Sequence, residues 1–244
     1  MRLILRLLAA RSYSAFSRAV PVLTSSLLIA MAVASGAQGQ TNGGPVYAVT
    51  YLDVAANAVT QGITLLKKYR ELSGHEDGNL EFTVLQETIR PNRFVIFEGW
   101  KNQAEFDAHS KGAPTSEFQE GLTPIRNSPP YQMMQYNFAT APQRAKPAPG
   151  ALYMVEHMDF MPTFAATAEP LVRALAENSQ KEKSVIRYDA YHWGNHHYMI
   201  MAIWPDSKAF DAHEAAAYTR QFRAAAGVPE GRIDLYEERL YKPI

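Results

Sequence analysis

Two histidines occupy the same place in a stretch of this sequence that occurs twice. The first copy runs from Trp100 to His109 and the second from Trp204 to His213, and matching residues lie 104 positions apart. An imidazole titrates near neutral pH and can accept a proton from a bound substrate. It can equally hold a helix against a sheet through a hydrogen bond to a backbone carbonyl or to Glu98. Both interpretations stay open at this point.

The aromatic residues of the repeat follow the same offset. Phe106 matches Phe210, and Phe118 matches Phe222. Rings that recur at the end of a strand and along a helix can line a cavity for a planar substrate, although the large buried area of tryptophan also suits an ordinary core. Two copies indicate two fused, equivalent domains rather than a solenoid, which needs more repeats.

A second group of candidate residues lies in the later half of the chain, which carries five of the seven histidines. Strand alternation places Tyr188 and His192 on one face. We hypothesise that His157 and His192, on neighbouring strands, share a cavity of the second domain with Tyr188. A metal site needs several convergent ligands, and adjacent side chains at the His196-His197 turn point apart, so we predict no metal site.

The elements that position these residues also repeat. In each half the hydrophobic pattern predicts strand, helix, strand, strand, helix, strand, which is the ferredoxin-like order of an antiparallel α+β fold. The predicted strands are 46–53, 80–88, 93–100 and 131–138, then 152–159, 185–192, 197–204 and 233–240. The predicted helices are 55–73, 102–118 with a break near Gly112-Ala113-Pro114, 163–179 and 206–225. Pro170 inside a helix costs about 3 kcal/mol and predicts a kink or a later start.

The order of composition along the chain predicts five segments. Residues 1–37 are predicted to be a secretory signal peptide, because four arginines precede an apolar run and small residues follow it. Residues 38–44 form a polar, disordered lead-in, 45–138 a first domain, 139–150 a proline-rich linker and 151–244 a second domain. A mitochondrial transit peptide and an uncleaved membrane anchor are the alternatives for the first segment.

Charge and cysteine content exclude several classes of function. Without residues 1–37 the chain keeps 20 basic and 24 acidic residues, so it lacks the basic footprint of a nucleic-acid-binding protein. It has no cysteine, which excludes thiolate chemistry and means that the domains are stable through core burial alone. Because residues 1–37 are predicted to be a cleaved signal peptide, we expect an exported protein, periplasmic or secreted, that does not stay inserted in a membrane after cleavage.

The repeated motif resembles that of the antibiotic biosynthesis monooxygenase (ABM) domain family. The pattern is Glu-x-Trp, then aromatic-x-Ala-His, then Phe. The first half carries it as Glu98, Trp100, Phe106, Ala108, His109 and Phe118, and the second half as Trp204, Phe210, Ala212, His213 and Phe222. Ala202 stands where the first half has Glu98, which indicates that the halves are not equivalent.

This resemblance implies a fold, an activity and a set of roles. It implies that the two ferredoxin-like domains pair their sheets into an α+β barrel within one chain. It also implies a cofactor-independent monooxygenase that oxidises a small phenolic or quinol substrate with molecular oxygen. We expect His109 to act as the base, Glu98 to orient it and Trp100 to form a cavity wall, with His213 and Trp204 as their counterparts.

Two alternative functions differ from this expectation. Haem degradation is disfavoured, because that branch of the family uses an asparagine on the first strand, where this chain offers Thr50 or Tyr51, and Glu156 or His157. The main alternative is a non-enzymatic exported protein that binds a small molecule or acts under stress. The expected partner is in either case a small aromatic compound, and a further homodimer stays open.

Overall fold

The computed structural model describes residues 43–227 and 233–244. The predicted signal peptide and residues 38–42 of the predicted lead-in lie outside the described residues. Within the described ranges, no helix is both long and apolar enough to cross a membrane.

The first half contains four strands and three helices in the predicted order. These are β1 (Val46–Asp53), α1 (Val59–Gly74), β2 (Asn79–Glu87), β3 (Arg93–Trp100), α2 (Gln103–Ser110), α3 (Ala113–Leu122) and β4 (Tyr131–Ala139). The break predicted near Gly112-Ala113-Pro114 is present: Gly112 is the N-cap of a second helix, α3, with Pro114 in its first turn. Asn102 caps α2, its side-chain oxygen accepting from Glu105 N at 3.0 Å, as predicted.

The second half repeats the same order. It contains β5 (Leu152–Phe160), α4 (Ala165–Ser179), β6 (Arg187–Trp193), β7 (His197–Trp204), α5 (Ser207–Glu214), α6 (Ala217–Ala226) and β8 (Ile233–Pro243). Helix α4 starts two residues later than predicted and continues through Pro170. Pro170 is exposed, so water can satisfy the carbonyl that loses its backbone partner.

All eight strands form one closed antiparallel barrel. The order around it is β1-β3-β2-β8-β5-β7-β6-β4, so each half contributes four adjacent strands. The halves join where β2 pairs with β8 and where β4 pairs with β6. This confirms the predicted pair of ferredoxin-like repeats that build an α+β barrel within one chain.

Strand alternation divides the side chains between the lumen of the barrel and its outer face. Apolar residues from both halves fill the middle of the lumen, among them Val49, Leu85, Phe97, Val155 and Met199. The outer faces are covered by helices, α1 and α3 in the first half and α4 and α6 in the second. Two buried regions are therefore available for a site, one under the helices and one inside the barrel.

Candidate functional site

The residues predicted for the first-half site meet on the outer face of the barrel, under the helices. Trp100 stacks on His109 with ring centroids 4.4 Å apart, and Trp100 Nε1 donates to Glu98 Oε2 at 2.8 Å. Phe106 packs in the same cluster as Trp100, and Phe118 stacks on Tyr69, which itself contacts His109. The structure thus brings these residues together as predicted neighbours.

His109 uses both ring nitrogens inside this layer. Nδ1 lies 2.5 Å from Glu76 Oε2, and Nε2 lies 2.9 Å from Tyr69 Oη and 3.2 Å from Glu98 Oε2. The residue is 4% exposed. Burial lowers the pKa of His109, but hydrogen bonds and charge from Glu98 and Glu76 outweigh it, so the pKa is raised above 6.5. The two carboxylates favour the protonated imidazole, and an imidazolium cannot accept a proton from a substrate.

The second half keeps the histidine but loses one carboxylate. His213 Nδ1 lies 3.2 Å from Glu182 Oε1 and from Tyr218 Oη. Because Ala202 replaces the counterpart of Glu98, the buried Trp204 Nε1 has no hydrogen-bond partner among the described residues. Burial therefore dominates, and the pKa of His213 is lowered below 6.5 despite the Glu182 charge. The predicted non-equivalence of the halves has this physical consequence.

Four other residues predicted for the second-half site lie in the outer layer around His213. Tyr188, Trp204 and Phe210 contact one another or His213 through their rings, and Phe222 belongs to the same buried cluster. This cluster has the size and composition of an ordinary helix–sheet core.

A local structural requirement accounts for much of the repeat. Thr115 Oγ1 donates to the carbonyl of His109 at 2.8 Å, and Thr219 Oγ1 donates to that of His213 at 2.9 Å. These bonds hold the chain reversal between the two helices of each half. The repeated threonines and histidines therefore have a folding role whatever chemistry the protein performs.

The two histidines predict opposite dependences of stability on pH. The raised pKa of His109 means that its contribution is full below about pH 6.5 and is lost as pH rises through the folded-state value. The lowered pKa of His213 means that its effect runs the other way, with stability lost as pH falls below about 6.5. We expect His109→Gln to cost more unfolding free energy in acidic than in alkaline buffer, and His213→Gln to cost less. Urea unfolding between about pH 5.5 and pH 8.5 measures both; parallel trends for the two variants would contradict the assignment.

A cavity of about 250 Å³ opens inside the barrel, at the end that carries the β2–β3 and β6–β7 hairpins. We call it the lumen cavity. Both halves line it, with Tyr51, Tyr131, Met133 and Gln135 from the first and His157, Asp159, Trp193, His197, Tyr198 and Arg239 from the second. Of the site residues predicted from sequence, His157 lines this cavity. His109 and His213 lie on the other side of the sheet.

Tyr51 and His157 meet across the lumen. The Tyr51 hydroxyl is hydrogen-bonded to His157 Nε2, and the two rings pack edge to face at 5.4 Å. Their strands, β1 and β5, lie on opposite sides of the barrel. Tyr51 pairs with Val95, which precedes Trp100 by the same number of residues as Met199, the partner of His157, precedes Trp204. Tyr51 and His157 therefore occupy equivalent positions of the two halves.

The hypothesis that His157, His192 and Tyr188 share one cavity is wrong. β7 lies between β5 and β6, so His157 and His192 are not on neighbouring strands. His157 faces the lumen, whereas Tyr188 faces the helices and His192 lies by Phe138 on the outer face. Strand alternation had placed Tyr188 and His192 on one face correctly, but it could not show which face looked inward.

The opposite end of the barrel holds an ion-pair cluster. Arg187 Nη1 donates to both carboxylate oxygens of Glu81 at 2.8 Å, its Nε donates to Asp189 Oδ2 at 2.6 Å, and its Nη2 donates to Tyr191 Oη at 2.8 Å. Glu81 lies on β2 and Arg187 on β6, again on opposite sides of the barrel. Although burial acts against the charge, Glu81 and the other neighbours raise the pKa of Arg187. The cluster joins the two halves through the lumen.

Most lumen residues could not be identified from the sequence. Tyr51, Gln135, Asp159, Trp193, His197 and Arg239 are not repeated residues, and their convergence depends on barrel closure. The one usable signal was the inward alternation of His157 and Asp159 on β5. Among the described residues, no group of three or more His, Cys, Asp or Glu side chains is arranged to hold a metal ion.

The fold is shared with several solved structures. A candidate monooxygenase from Fusobacterium nucleatum superposes with a TM-score of 0.74 at 12% identity, covering 82% of this chain and 93% of that one. A candidate monooxygenase from Lactobacillus acidophilus gives 0.67 at 13% identity, with 82% and 94% covered. An anthrone oxidase-like protein gives 0.61 at 11% identity, with 82% and 91% covered. At these identities the likeness concerns the fold: a barrel built from two repeats.

The sequence profile of the antibiotic biosynthesis monooxygenase family matches the chain twice, over residues 45–121 and 152–225. The chain therefore belongs to this family, as the repeated motif predicted. No curated protein matches it.

Proposed function

We propose that the protein is a monooxygenase that oxidises a small phenolic or quinol compound in the lumen cavity, with molecular oxygen and no cofactor. One observation carries the location: a tyrosine–histidine hydrogen bond lies inside a cavity walled by Tyr131, Met133 and Trp193. Membership of the family supports the reaction class. The phenolic substrate and the cofactor independence are our proposal.

The Tyr51–His157 pair can remove the proton that such chemistry must remove. In the arrangement we propose, Tyr51 donates to His157 Nε2 and accepts a hydrogen bond from the substrate hydroxyl. The substrate proton then passes to Tyr51 as the Tyr51 proton passes to His157. His157 is 7% exposed, so bulk water competes little for this hydrogen bond.

The deprotonated substrate supplies every electron that oxygen takes up. For a quinol, one atom of O2 replaces hydrogen at a ring carbon and the other leaves as water, so the product is the hydroxylated quinone. The protein has to orient the ring and hold it away from water, which the buried inner part of the lumen cavity around His157 allows.

The volume of the cavity limits the size of the substrate. A cavity of about 150 Å³ holds benzene, so the 250 Å³ here suits a compound of about two fused rings. Naphthols and small hydroquinones are therefore the first compounds to try.

Oxygen uptake tests the proposal and separates it from the prediction that His109 is the base. The protein and its His109→Ala variant are compared with a panel of hydroquinones and naphthols. Uptake that survives the substitution supports the lumen cavity, whereas uptake lost in a variant that still folds would return the base to the helix layer. Absence of uptake across the panel would favour the alternative, an exported binding protein.

Export is a separate proposal that rests on residues 1–37. Its test is fractionation of cells that produce the full chain, with mass spectrometry of the mature N-terminus. We expect a periplasmic or secreted form that begins after Ala37; an uncleaved chain in the membrane fraction would contradict it.

A further inference from the structure

One buried polar group in the lumen cavity has no use in the reaction described above. Gln135 lies on β4, lines the lumen cavity and is 2% exposed. Its side-chain oxygen has no hydrogen-bond partner among the residues that the structure describes. A buried amide without a partner carries a desolvation penalty, so a group supplied by a ligand is expected to satisfy it.

Other glutamines near the strands of the first half donate a side-chain hydrogen bond within the protein. Gln86 Nε2 donates to the carbonyl of Pro91 at 2.7 Å. Gln132, three residues before Gln135 on the same strand, donates to Thr50 Oγ1 at 2.9 Å from the outer face of the barrel. Among the glutamines that the structure describes, Gln135 is the one with a fully buried side-chain oxygen that has no hydrogen-bond partner.

Gln135 lies deeper in the barrel than the proposed proton acceptor. On the paired strands β1 and β4, Tyr131 is opposite Tyr51 and Gln135 is opposite Tyr47. A strand rises about 3.3 Å per residue, so four residues separate the two levels by about 13 Å along the strand. The lumen cavity is lined by both Tyr51 and Gln135, so one ligand inside it can contact both levels.

We infer that Gln135 determines the specificity of the lumen cavity, by accepting a hydrogen bond from a second donor group at the far end of the ligand. The ligand is then a fused aromatic compound with two donors, one hydroxyl at Tyr51 and a hydroxyl or amine at Gln135. This inference rests on the proposed function for the assignment of the cavity as the ligand site. A site built to bond such a group discriminates against analogues that lack it, because its own polar atom is then left unpaired.

Calorimetric titration without oxygen tests the inference independently of turnover. The probes are 2,6-dihydroxynaphthalene, which has a donor at each end, and 2-naphthol, which has one. We expect the protein to bind the diol at least about tenfold more tightly than the naphthol, as one net hydrogen bond allows. In Gln135→Leu this ratio should fall to about one, mainly through weaker binding of the diol.

Two matched measurements make the outcome decisive. Gln132→Leu makes the same change on the outer face of β4 and should keep the tenfold ratio. Gln135→Leu removes an unpaired buried amide, so its melting temperature should not fall; if it does not fold, Gln135→Asn, which withdraws the amide from the cavity, gives the same comparison.

Three results would overturn the inference. These are equal affinity for the two probes, as expected if an ordered water satisfies Gln135; a ratio that persists in the Gln135 variants; and no binding of either probe. The last would also remove the proposed function. Tight binding of the diol without oxygen uptake would remove the proposed function and leave the specificity role of Gln135 standing.

Discussion

Replacing His157 with glutamine is expected to lower the rate of oxygen uptake at least about 100-fold. The reason is that a positioned proton acceptor contributes about 10²- to 10⁴-fold to such reactions, and glutamine cannot take the proton that Tyr51 passes on. Steady-state kinetics with a saturating naphthol or hydroquinone measures the effect. Because the ring walls of the lumen cavity stay in place, binding should change much less than kcat.

His109→Gln is the matched control for this prediction. It makes the same substitution at a histidine that lies under the helices, beside Tyr69 and Glu76, and not in the lumen. We expect it to lower stability and leave kcat within a few-fold of the parent. The reverse pattern, with His157→Gln active and His109→Gln inactive but folded, would contradict the assignment of the lumen as the site.

Replacing Arg187 with methionine is expected to lower the free energy of unfolding by about 3–5 kcal/mol. The side chain of Arg187 is 8% exposed and lies between Glu81 and Asp189, so its loss leaves the buried Asp189 and the partly buried Glu81 without their counterion. Since the cluster links the two halves through the lumen, both should unfold in one earlier transition. Urea unfolding followed by circular dichroism and by tryptophan fluorescence measures this.

Lys68→Met is the control, because it removes a lysine from an exposed pair with Glu117. Exposed pairs contribute about 0–1 kcal/mol, so this variant should unfold close to the parent. A cost for Arg187→Met as small as that of the control would show that the cluster does not hold the barrel together.

The repeat made the fold predictable. The 104-residue offset of the two tryptophan–histidine stretches fixed two equivalent domains, and strand and helix periodicity fixed their order. Most boundaries agree to within two residues, because strands such as β3 and β7 carry strong alternating or continuous apolar patterns. The break between α2 and α3 was predictable because Gly112 and Pro114 are typical of a helix boundary.

The site was much less predictable, and the same repeat is the reason. Identity between the halves drew attention to His109 and His213, whose repetition reflects the chain reversal that Thr115 and Thr219 also hold. The lumen contacts instead join equivalent positions that carry different residues: Tyr51 with His157, and Glu81 with Arg187.

These unlike pairs have a physical explanation. In a symmetric dimer of one domain, positions that face each other across the central axis would meet their own copies, such as a glutamate against a glutamate. Two domains fused in one chain can carry complementary partners there. A search for repeated residues passes over such positions, because their importance lies in the difference between the halves.

In the proposed function the ligand binds in the lumen and not under the helices. A crystal structure of the protein with 2,6-dihydroxynaphthalene, prepared without oxygen, tests this most directly. We expect density for the fused rings in the lumen cavity, with one hydroxyl at about 2.6–3.2 Å from the Tyr51–His157 pair and the other near Gln135. Density beside Trp100 and His109, beneath the helices of the first half, would contradict it.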